Sequence, residues 1–271
     1  MKRTGTLEVT ATKREQKSIL SDVYYEGAMK ITRPVYLEED VPTIYMIDIG
    51  GGYVDGDTYA TTLHVEQGAH LAVTSQASAK IYKTPKTPVK QVTRITLEGN
   101  SVIEYVPDAL IAYKNSRFQQ ETVVEMEPNS CLIYSDSMTP GWAEDGSYFK
   151  YDWIRSKLKI IQNGKLVVYD HLLLHPDGEM SGILQMDGYS HVGMFMIVHE
   201  QVNSEWIDRL YEELVQLNSP ARFGLSALPV KGVIIRILAN QTMVIEKLIK
   251  VAHSFSRKEL FGREYAAWRK Y

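Results

Sequence analysis

The chain has 271 residues, of which 44% are hydrophobic and 23% are charged, proportions typical of a globular protein with a sizeable core. The net charge of −3 at pH 7 argues against a nucleic-acid binder, whose affinity depends on neutralising phosphates. The sequence has no apolar run of the length of a signal peptide or a membrane span, so we expect a cytoplasmic protein that does not enter a membrane.

The segment from about residue 5 to residue 200 has the patterns of consecutive β-strands. In TLEVTAT (6–12) apolar and polar residues alternate, and TYATTLHV (58–65) is rich in β-branched and aromatic side chains. Asn163 and Gly164 separate two β-branched runs, and this dipeptide is typical of a type I′ hairpin turn. We therefore predict a β body over this segment.

Three segments of the β body resemble one another: HVEQGAHLAVTS, TLEGNSVIEYVP and EMEPNSCLIYSD. When they are aligned on Glu66, Glu98 and Glu127, each has Gly or Asn two positions later, which suits a left-handed turn, and then a β run. The spacing of roughly thirty residues is typical of stacked β layers, and independent turn-then-strand sequences are the alternative. The single cysteine, Cys131, lies in the third copy, where we expect a small buried hydrophobic side chain rather than a nucleophile.

Two helices are predicted after the β body. Asn203 or Ser204 is the predicted cap of the first, EWIDRLYEELVQLN, and Asn240 that of the second, QTMVIEKLIKVAHSFSRKELFG, which ends at Gly262. The run KGVIIRILA between them is typical of a buried strand, so the pattern predicts a helix–strand–helix unit over about 203–262. The residues expected to face inward are Trp206, Leu210, Leu214 and Leu217 in the first helix and Val244, Leu248, Val251 and Phe255 in the second.

No long linker separates these parts, so we predict a single domain over residues 1–271. Its β body occupies about 5–200 and its helix–strand–helix unit about 203–262. The predicted fold class is mainly β, of the α+β type, with stacked strand layers and two helices in the C-terminal half.

The stretch IDIGGGYVDGDTY (47–59) has the composition of a ligand-binding loop but not the context of one. A dinucleotide or P-loop site needs a helix after its glycines, and here the next element is a predicted strand. An EF-hand calcium loop needs glycine at its sixth position, and counting from Asp55 that position is Ala60. The glycines are therefore assigned to backbone geometry, and Asp57 is the remaining chemical candidate of the loop.

The sequence contains no recognisable catalytic set. It has no G-x-S-x-G elbow, and its one cysteine makes no cysteine cluster for a metal. His171 and His175 fall in a predicted strand, where four residues span roughly 13 Å, too far for two ligands of one ion. We therefore predict that the protein is not an enzyme.

Four segments in order resemble the UreD (UreH) family of urease accessory proteins: MKITRPVYLEE, GGYVDGD, EQGAHLAVTSQASAKIYK and LEGNSVIEYVPDALIAYKNSRFQQ. The family's GG-x-V-x-GD loop matches residues 51–57, and the similarity extends over about 5–262. Trp142 stands where the family usually has Arg, and Ser147 where it usually has Glu. Any role of that Arg or Glu in the family is therefore not transferred to this chain.

The resemblance implies a β-helix-like body with two helices and a non-catalytic function. Proteins of this family bind UreF, and through it the GTPase UreG, and dock the assembly onto the urease structural subunits. Nickel is expected to pass through a channel in the UreD–UreF pair to the urease site, without a tightly bound cofactor. The positions that match channel aspartates, as weak contacts for passing Ni²⁺, are Asp57, Asp136 and Asp170. The positions expected in the nearby loop or channel vicinity are Gly51, Gly52, Gly56, Ala79 and Lys80.

Two other functions remain open from the residues alone. One is a β-helical enzyme that acts on polysaccharides and uses carboxylates as acid and base. The other is a β-rich module that binds a small ligand without partners.

Overall fold

The computed structural model describes residues 3–176, residue 180 and residues 186–268. This part of the chain forms eighteen strands and two helices. The strands are β1 (Gly5–Arg14), β2 (Lys17–Gly27), β3 (Met29–Ile31), β4 (Val35–Glu38), β5 (Val41–Asp48), β6 (Thr58–Val65), β7 (His70–Ser75), β8 (Lys80–Ile81), β9 (Val89–Leu97), β10 (Val102–Tyr105), β11 (Ile111–Ala112), β12 (Arg117–Met126), β13 (Cys131–Met138), β14 (Trp153–Gln162), β15 (Lys165–Leu174), β16 (His191–Val198), β17 (Ala221–Ala227) and β18 (Gly232–Ala239). The helices are α1 (Ser204–Gln216) and α2 (Thr242–Phe261).

Stacked coils of a parallel β-helix form the middle of the body. One face is a seven-stranded sheet of order β15-β14-β12-β9-β6-β1-β2, in which β6, β9 and β12 are parallel. The opposite face is a nine-stranded sheet of order β17-β18-β16-β13-β10-β7-β5-β3, with β4 paired to β5, and in it β7, β10 and β13 are parallel. The short pair β8 and β11 forms a third side. The predicted mainly β fold with β-helix-like layers is therefore confirmed.

The three similar sequence segments are equivalent corners of successive coils. Val102 pairs with both His70 and Cys131, and these three positions each lie four residues after an aligned glutamate. The alignment made on the glutamates is therefore the register of the sheet. The predicted turn residues are left-handed, with φ values of 69° at Gly68, 58° at Asn100 and 63° at Asn129.

The aligned glutamates tie each corner to the one before it. Glu98 accepts a hydrogen bond from the backbone N–H of Gln67 at 2.9 Å, and Glu127 accepts one from Gly99 at 2.8 Å. These bonds satisfy turn amides that the strands leave unpaired. The stacking of the coils thus extends from the sheets into the corners.

Alternate residues of every coil fill the space between the two large sheets. In β1, the predicted inward residues Leu7, Val9 and Ala11 are at most 2% exposed. None of the described residues of this main core belongs to α1 or α2.

Asn163 and Gly164 form the predicted hairpin turn between β14 and β15, with φ values of 52° and 70°.

Both helices cover the outer face of the nine-stranded sheet, where they form a second apolar cluster with β13, β16 and β18. Cys131 lies in this cluster at 1% exposure, and burial raises the pKa of its thiol, as expected for a buried small hydrophobic side chain. Neither described helix is long and apolar enough to cross a membrane.

The predicted cap of α1 is confirmed and that of α2 is wrong. The Asn203 side chain accepts the N–H of Trp206 at 2.9 Å, as an N-cap does. The N-cap of α2 is Gln241, which makes no capping bond with its side chain. Asn240 instead accepts the backbone N–H of Ser190 at 3.0 Å, because its side chain points toward the loop before β16.

The region of the helices differs from the prediction in two further ways. Two strands, β17 and β18, lie between the helices where the sequence predicted one. Of the predicted stripe of α2, only Leu248 is fully buried, and the other buried apolar residues are Ile245, Ile249 and Ala252. Helix α2 is covered on two sides, because the sheet meets one face while α1 meets the next, where the ring centroids of Trp206 and Phe255 are 5.0 Å apart.

A network of buried charges fastens α2 to the nine-stranded sheet. Glu104 of β10 is 0% exposed and accepts hydrogen bonds from His70, at 2.5 Å, and from His253 and Arg257. Arg257 also pairs with Glu38 at the end of β4. Burial alone would raise the pKa of Glu104, but the hydrogen bonds and charges of His253 and His70 outweigh it and hold this pKa well below its ordinary value.

We expect Glu104→Gln to lower the free energy of unfolding by about 3–5 kcal/mol, because it removes the buried negative charge that His70, His253 and Arg257 share and leaves Arg257 paired with Glu38 alone. Glu121→Gln is the matched control, since Glu121 pairs with Lys159 at 2.7 Å on the surface. That change should cost at most about 1 kcal/mol. Urea denaturation at pH 7 measures both values, and equal effects would contradict a structural role for the network.

Candidate functional site

A polar cavity lies between the two large sheets of the β-helix. It has about 60 Å³ of space open to a water-sized sphere, enough for a few water molecules. Asp48 at the end of β5, Asp108 after β10 and Asp136 in β13 contribute to its wall. The described residues that line it include no lysine or arginine. The cavity is therefore a favourable environment for cations.

Gln91 and Gln120 in the wall of the cavity belong to a row of polar side chains that crosses the seven-stranded sheet. Tyr59 pairs with Gln91, Gln91 with Gln120, and Gln120 with Ser156. A second row alongside consists of Thr61, Thr93 and Thr122. Because the coils stack in register, both rows run along the axis of the β-helix.

Two hydrogen bonds fix the carboxylate of Asp136 in the wall of the cavity. Its Oδ2 accepts hydrogen bonds from Gln120 Nε2 at 2.5 Å and from Ser156 Oγ at 2.9 Å. Burial raises the pKa of Asp136 to about 6, and the charge of Asp170 adds to the rise while the Ser156 hydrogen bond opposes it. The pKa of Asp136 therefore lies well above that of an ordinary aspartate.

Asp48 is a cavity carboxylate that the sequence analysis missed. It is the last residue of β5, where Ile44 and Met46 precede it at the same alternation on the inward face. Burial raises the pKa of Asp48, and a hydrogen bond from the Tyr53 hydroxyl opposes that rise. An acidic residue at an inward position of an otherwise apolar strand is the signal that identifies it.

The rows on the opposite wall also had a signal in the sequence. Thr61, Thr93 and Thr122 each lie five positions before an aligned glutamate, and three members of the other row, Tyr59, Gln91 and Gln120, lie seven positions before one. Thr61 is 1% exposed, and its hydroxyl has no hydrogen-bond partner among the described residues. Such an orphan hydroxyl suits a cavity that holds water or a hydrated ion.

Asp136 also lines a second, smaller space of about 10 Å³, which has room for about one water molecule and is called the narrow part of the cavity from here on. Asp170 of β15 and Arg236 of β18 line this narrow part together with Asp136 and Ser156. Arg236 forms an ion pair with Asp170. The structure thus brings together Asp136 and Asp170, two of the three aspartates singled out in the sequence.

Asp57, the third aspartate, lies in the turn before β6 and is not among the residues that line the cavity. Its Oδ2 accepts hydrogen bonds from the N–H of Val54 at 2.8 Å and from the Tyr59 hydroxyl at 3.1 Å. Its Oδ1 accepts one from Thr4 at 3.0 Å. These contacts hold the turn in place.

The glycine loop packs against the wall of the cavity. Gly51 and Gly56 have φ values of 78° and 80°, in the left-handed region. A Cβ on Gly52 would lie 2.7 Å from the carbonyl oxygen of Lys80, so only glycine fits this close approach. Lys80 accepts the N–H of Tyr53 through that oxygen at 2.7 Å. Ala79, directly before it, lines the cavity.

The cavity offers carboxylate, amide and hydroxyl oxygens, a donor set that suits hard cations and holds Ni²⁺ less firmly than imidazole or thiolate groups. Within residues 3–176, 180 and 186–268, no three His, Cys, Asp or Glu side chains are grouped so that they could hold a metal ion together.

Comparisons with known proteins identify the family. A family model described as UreD urease accessory protein matches residues 3–270. A urease accessory protein UreD of Bacillus sp. is 55% identical over 271 residues, which is 100% of both chains. Proteins of the same name from Staphylococcus aureus and Lachnoclostridium phytofermentans are 37% and 38% identical, covering 99% and 96% of this chain and 98% and 96% of their own.

These relatives are named as accessory proteins of an enzyme, and the prediction that this chain is not itself an enzyme is confirmed. The resemblance seen in the sequence is confirmed over nearly the whole length. The chain belongs to the UreD family of urease accessory proteins.

Proposed function

We propose that this chain is a non-catalytic scaffold of urease maturation that guides nickel through its interior. It binds UreF, and through it UreG, docks this assembly onto the urease structural subunits in the cytoplasm, and delivers Ni²⁺ to the urease active site. The observation that carries the proposal is the acidic cavity inside the β-helix of a UreD-family protein.

The arrangement of the carboxylates supports transit rather than storage. Asp48 and Asp136 line the wider part of the cavity, and Asp136 and Asp170 line its narrow part. A cation that moves along this path exchanges one set of oxygen ligands for the next, and none of the sets holds Ni²⁺ strongly. Asp57 is occupied by the hydrogen bonds of its turn, so we place it beside the path rather than on it.

The pKa of Asp136 supports a functional role for its carboxylate. A buried carboxyl whose pKa is raised to about 6 destabilises the fold whenever it is ionised. An amide at this position would keep a hydrogen-bond acceptor without that penalty. Retention of a destabilising charge is a common feature of functional sites, where stability is sacrificed to activity.

We expect Asp136→Asn to stabilise the protein at neutral pH. Because the folded-state pKa of about 6 lies above the ordinary value of 3.8, the contribution of Asp136 to stability is greatest below pH 3.8 and is lost as pH rises through 6. The variant should therefore gain stability relative to wild type across that interval, by on the order of 3 kcal/mol in total. Urea denaturation at a series of pH values measures the difference.

Asp145→Asn provides a control of opposite sign. Hydrogen bonds from Ser147 lower the pKa of the exposed Asp145 carboxyl. Its contribution to stability is therefore present above the ordinary pKa and lost in acid, so the variant should be less stable than wild type at neutral pH. A difference between Asp136→Asn and wild type that does not change with pH would contradict the raised pKa.

We expect Asp136→Asn and Asp48→Asn to reduce the nickel content of urease several-fold in cells that co-express this chain with the urease subunits, UreF and UreG. Each change removes a negative charge from the cavity and keeps the size of the side chain. Asp57→Asn, in the turn, should have the smaller effect. The measurement is metal analysis of purified urease, and normal nickel content in both cavity variants would contradict a path through the cavity.

The scaffold role has a separate test. Affinity purification of this chain from the same cells should recover UreF, UreG and the urease subunits, and the cavity variants should recover them equally, because the substituted side chains are interior. Failure of the wild-type chain to associate with either UreF or urease would contradict the proposed role.

A further inference from the structure

We propose that the ion pair between Arg236 and Asp170 is a gate at the narrow end of the cavity, with Arg236 as the barrier that a passing divalent cation must displace. This inference rests on the proposed nickel path and adds to it a residue that regulates passage. It follows from the position, the charge and the exposure of the two side chains.

The ion pair closes the space between the two sheets. Asp170 belongs to β15 in the seven-stranded sheet, and Arg236 belongs to β18 in the nine-stranded sheet. Asp136, Met194 and Arg236 lie opposite one another on the adjacent strands β13, β16 and β18. Arg236 thus lies in line with Asp136, and both side chains line a space that holds about one water molecule.

The exposed fractions of the two side chains show that Arg236 lies on the solvent side of the ion pair and Asp170 on its inner side. The Arg236 side chain is 45% exposed, whereas that of Asp170 is 16% exposed. The guanidinium therefore stands between the interior carboxylates and the solvent. A metal ion that enters at this end meets a permanent positive charge first, and one that leaves meets it last.

The charge of Arg236 acts on a divalent cation in two ways. It repels the cation directly, and it occupies the Asp170 carboxylate that the cation would use as its ligand. The wider cavity has no lysine or arginine among its described lining residues, so this repulsion is specific to the narrow part. The fixed charges therefore favour a cation inside the wider cavity and oppose its passage at this end.

The same pair can open without disturbing the fold. A partly exposed ion pair contributes little to stability, and the long arginine side chain can exchange its carboxylate partner for water. Opening frees Asp170 and removes the positive charge from the narrow space. The gate thus needs only a rotation of one side chain.

The test is direct binding of Ni²⁺, supplied as nickel chloride, to the full chain purified in complex with its partners. We expect Arg236→Gln to bind Ni²⁺ at least tenfold more tightly than wild type in competition with a colorimetric chelator. Arg236→Lys keeps the charge and should stay within a few-fold of wild type. Arg222→Gln is the matched control. Arg222 lies on β17, the strand next to β18, and forms an ion pair with Asp187. Its substitution should not change the Ni²⁺ affinity.

An unchanged affinity in Arg236→Gln would overturn the gate, as would an equal gain in Arg222→Gln. If Arg236→Gln does not fold, as judged by thermal unfolding, Asp170→Asn tests the same pair from the other side. This change removes the Asp170 carboxylate that would bind Ni²⁺ and leaves the Arg236 guanidinium in place. The Ni²⁺ affinity of the variant should therefore fall at least tenfold, and wild-type affinity would overturn the proposal. Loss of urease nickel in Asp136→Asn together with no effect at Arg236 rejects the gate alone, whereas normal nickel in Asp136→Asn rejects the path itself.

Discussion

The fold and the site both depend on the in-register stacking of the β-helical coils. Residues of β7, β10 and β13 in one sheet, and of β6, β9 and β12 in the other, lie directly above their equivalents in the next coil. An apolar position thereby becomes an apolar layer, and a polar position becomes a polar row along the axis. The interior cavity is the consequence of placing Gln, Thr and Ser at such positions in a body whose other inward residues are apolar.

A polar row inside a closed body is stable only where its groups find partners. Gln120, Ser156 and Asp136 satisfy one another within hydrogen-bonding distance, whereas Thr61 has no partner among the described residues. The buried charges beneath α2, in contrast, are all paired with one another. There Glu104 is fully buried and paired with two histidines and an arginine, which makes it a structural group of the helical side.

Much of the fold was predictable because the relevant signals are local. The corners at Gly68, Asn100 and Asn129 and the cap at Asn203 were all found, since each depends on a few neighbouring residues. Strand β17 was missed although Phe223 and Leu225 alternate with polar residues, because it is a short edge strand whose residues are all half-buried or exposed.

The site was less predictable because it depends on distant residues. Asp136 and Asp170 came from the family resemblance, but their shared cavity depends on two sheets closing on each other. The pair of Arg236 and Asp170 joins positions 66 residues apart, which no spacing pattern reveals. Asp48 and the polar rows had signals, in strand alternation and in the repeat alignment, that become meaningful only once the inward face is known.

The proposed passage of a cation through the interior of this protein can be tested by anomalous diffraction at the nickel edge. Crystals of the chain with its partners would be soaked in nickel chloride. We expect an anomalous peak between the two sheets within bonding distance of the Asp136 carboxylate. Peaks confined to surface side chains, with none between the sheets under conditions that load urease, would contradict it.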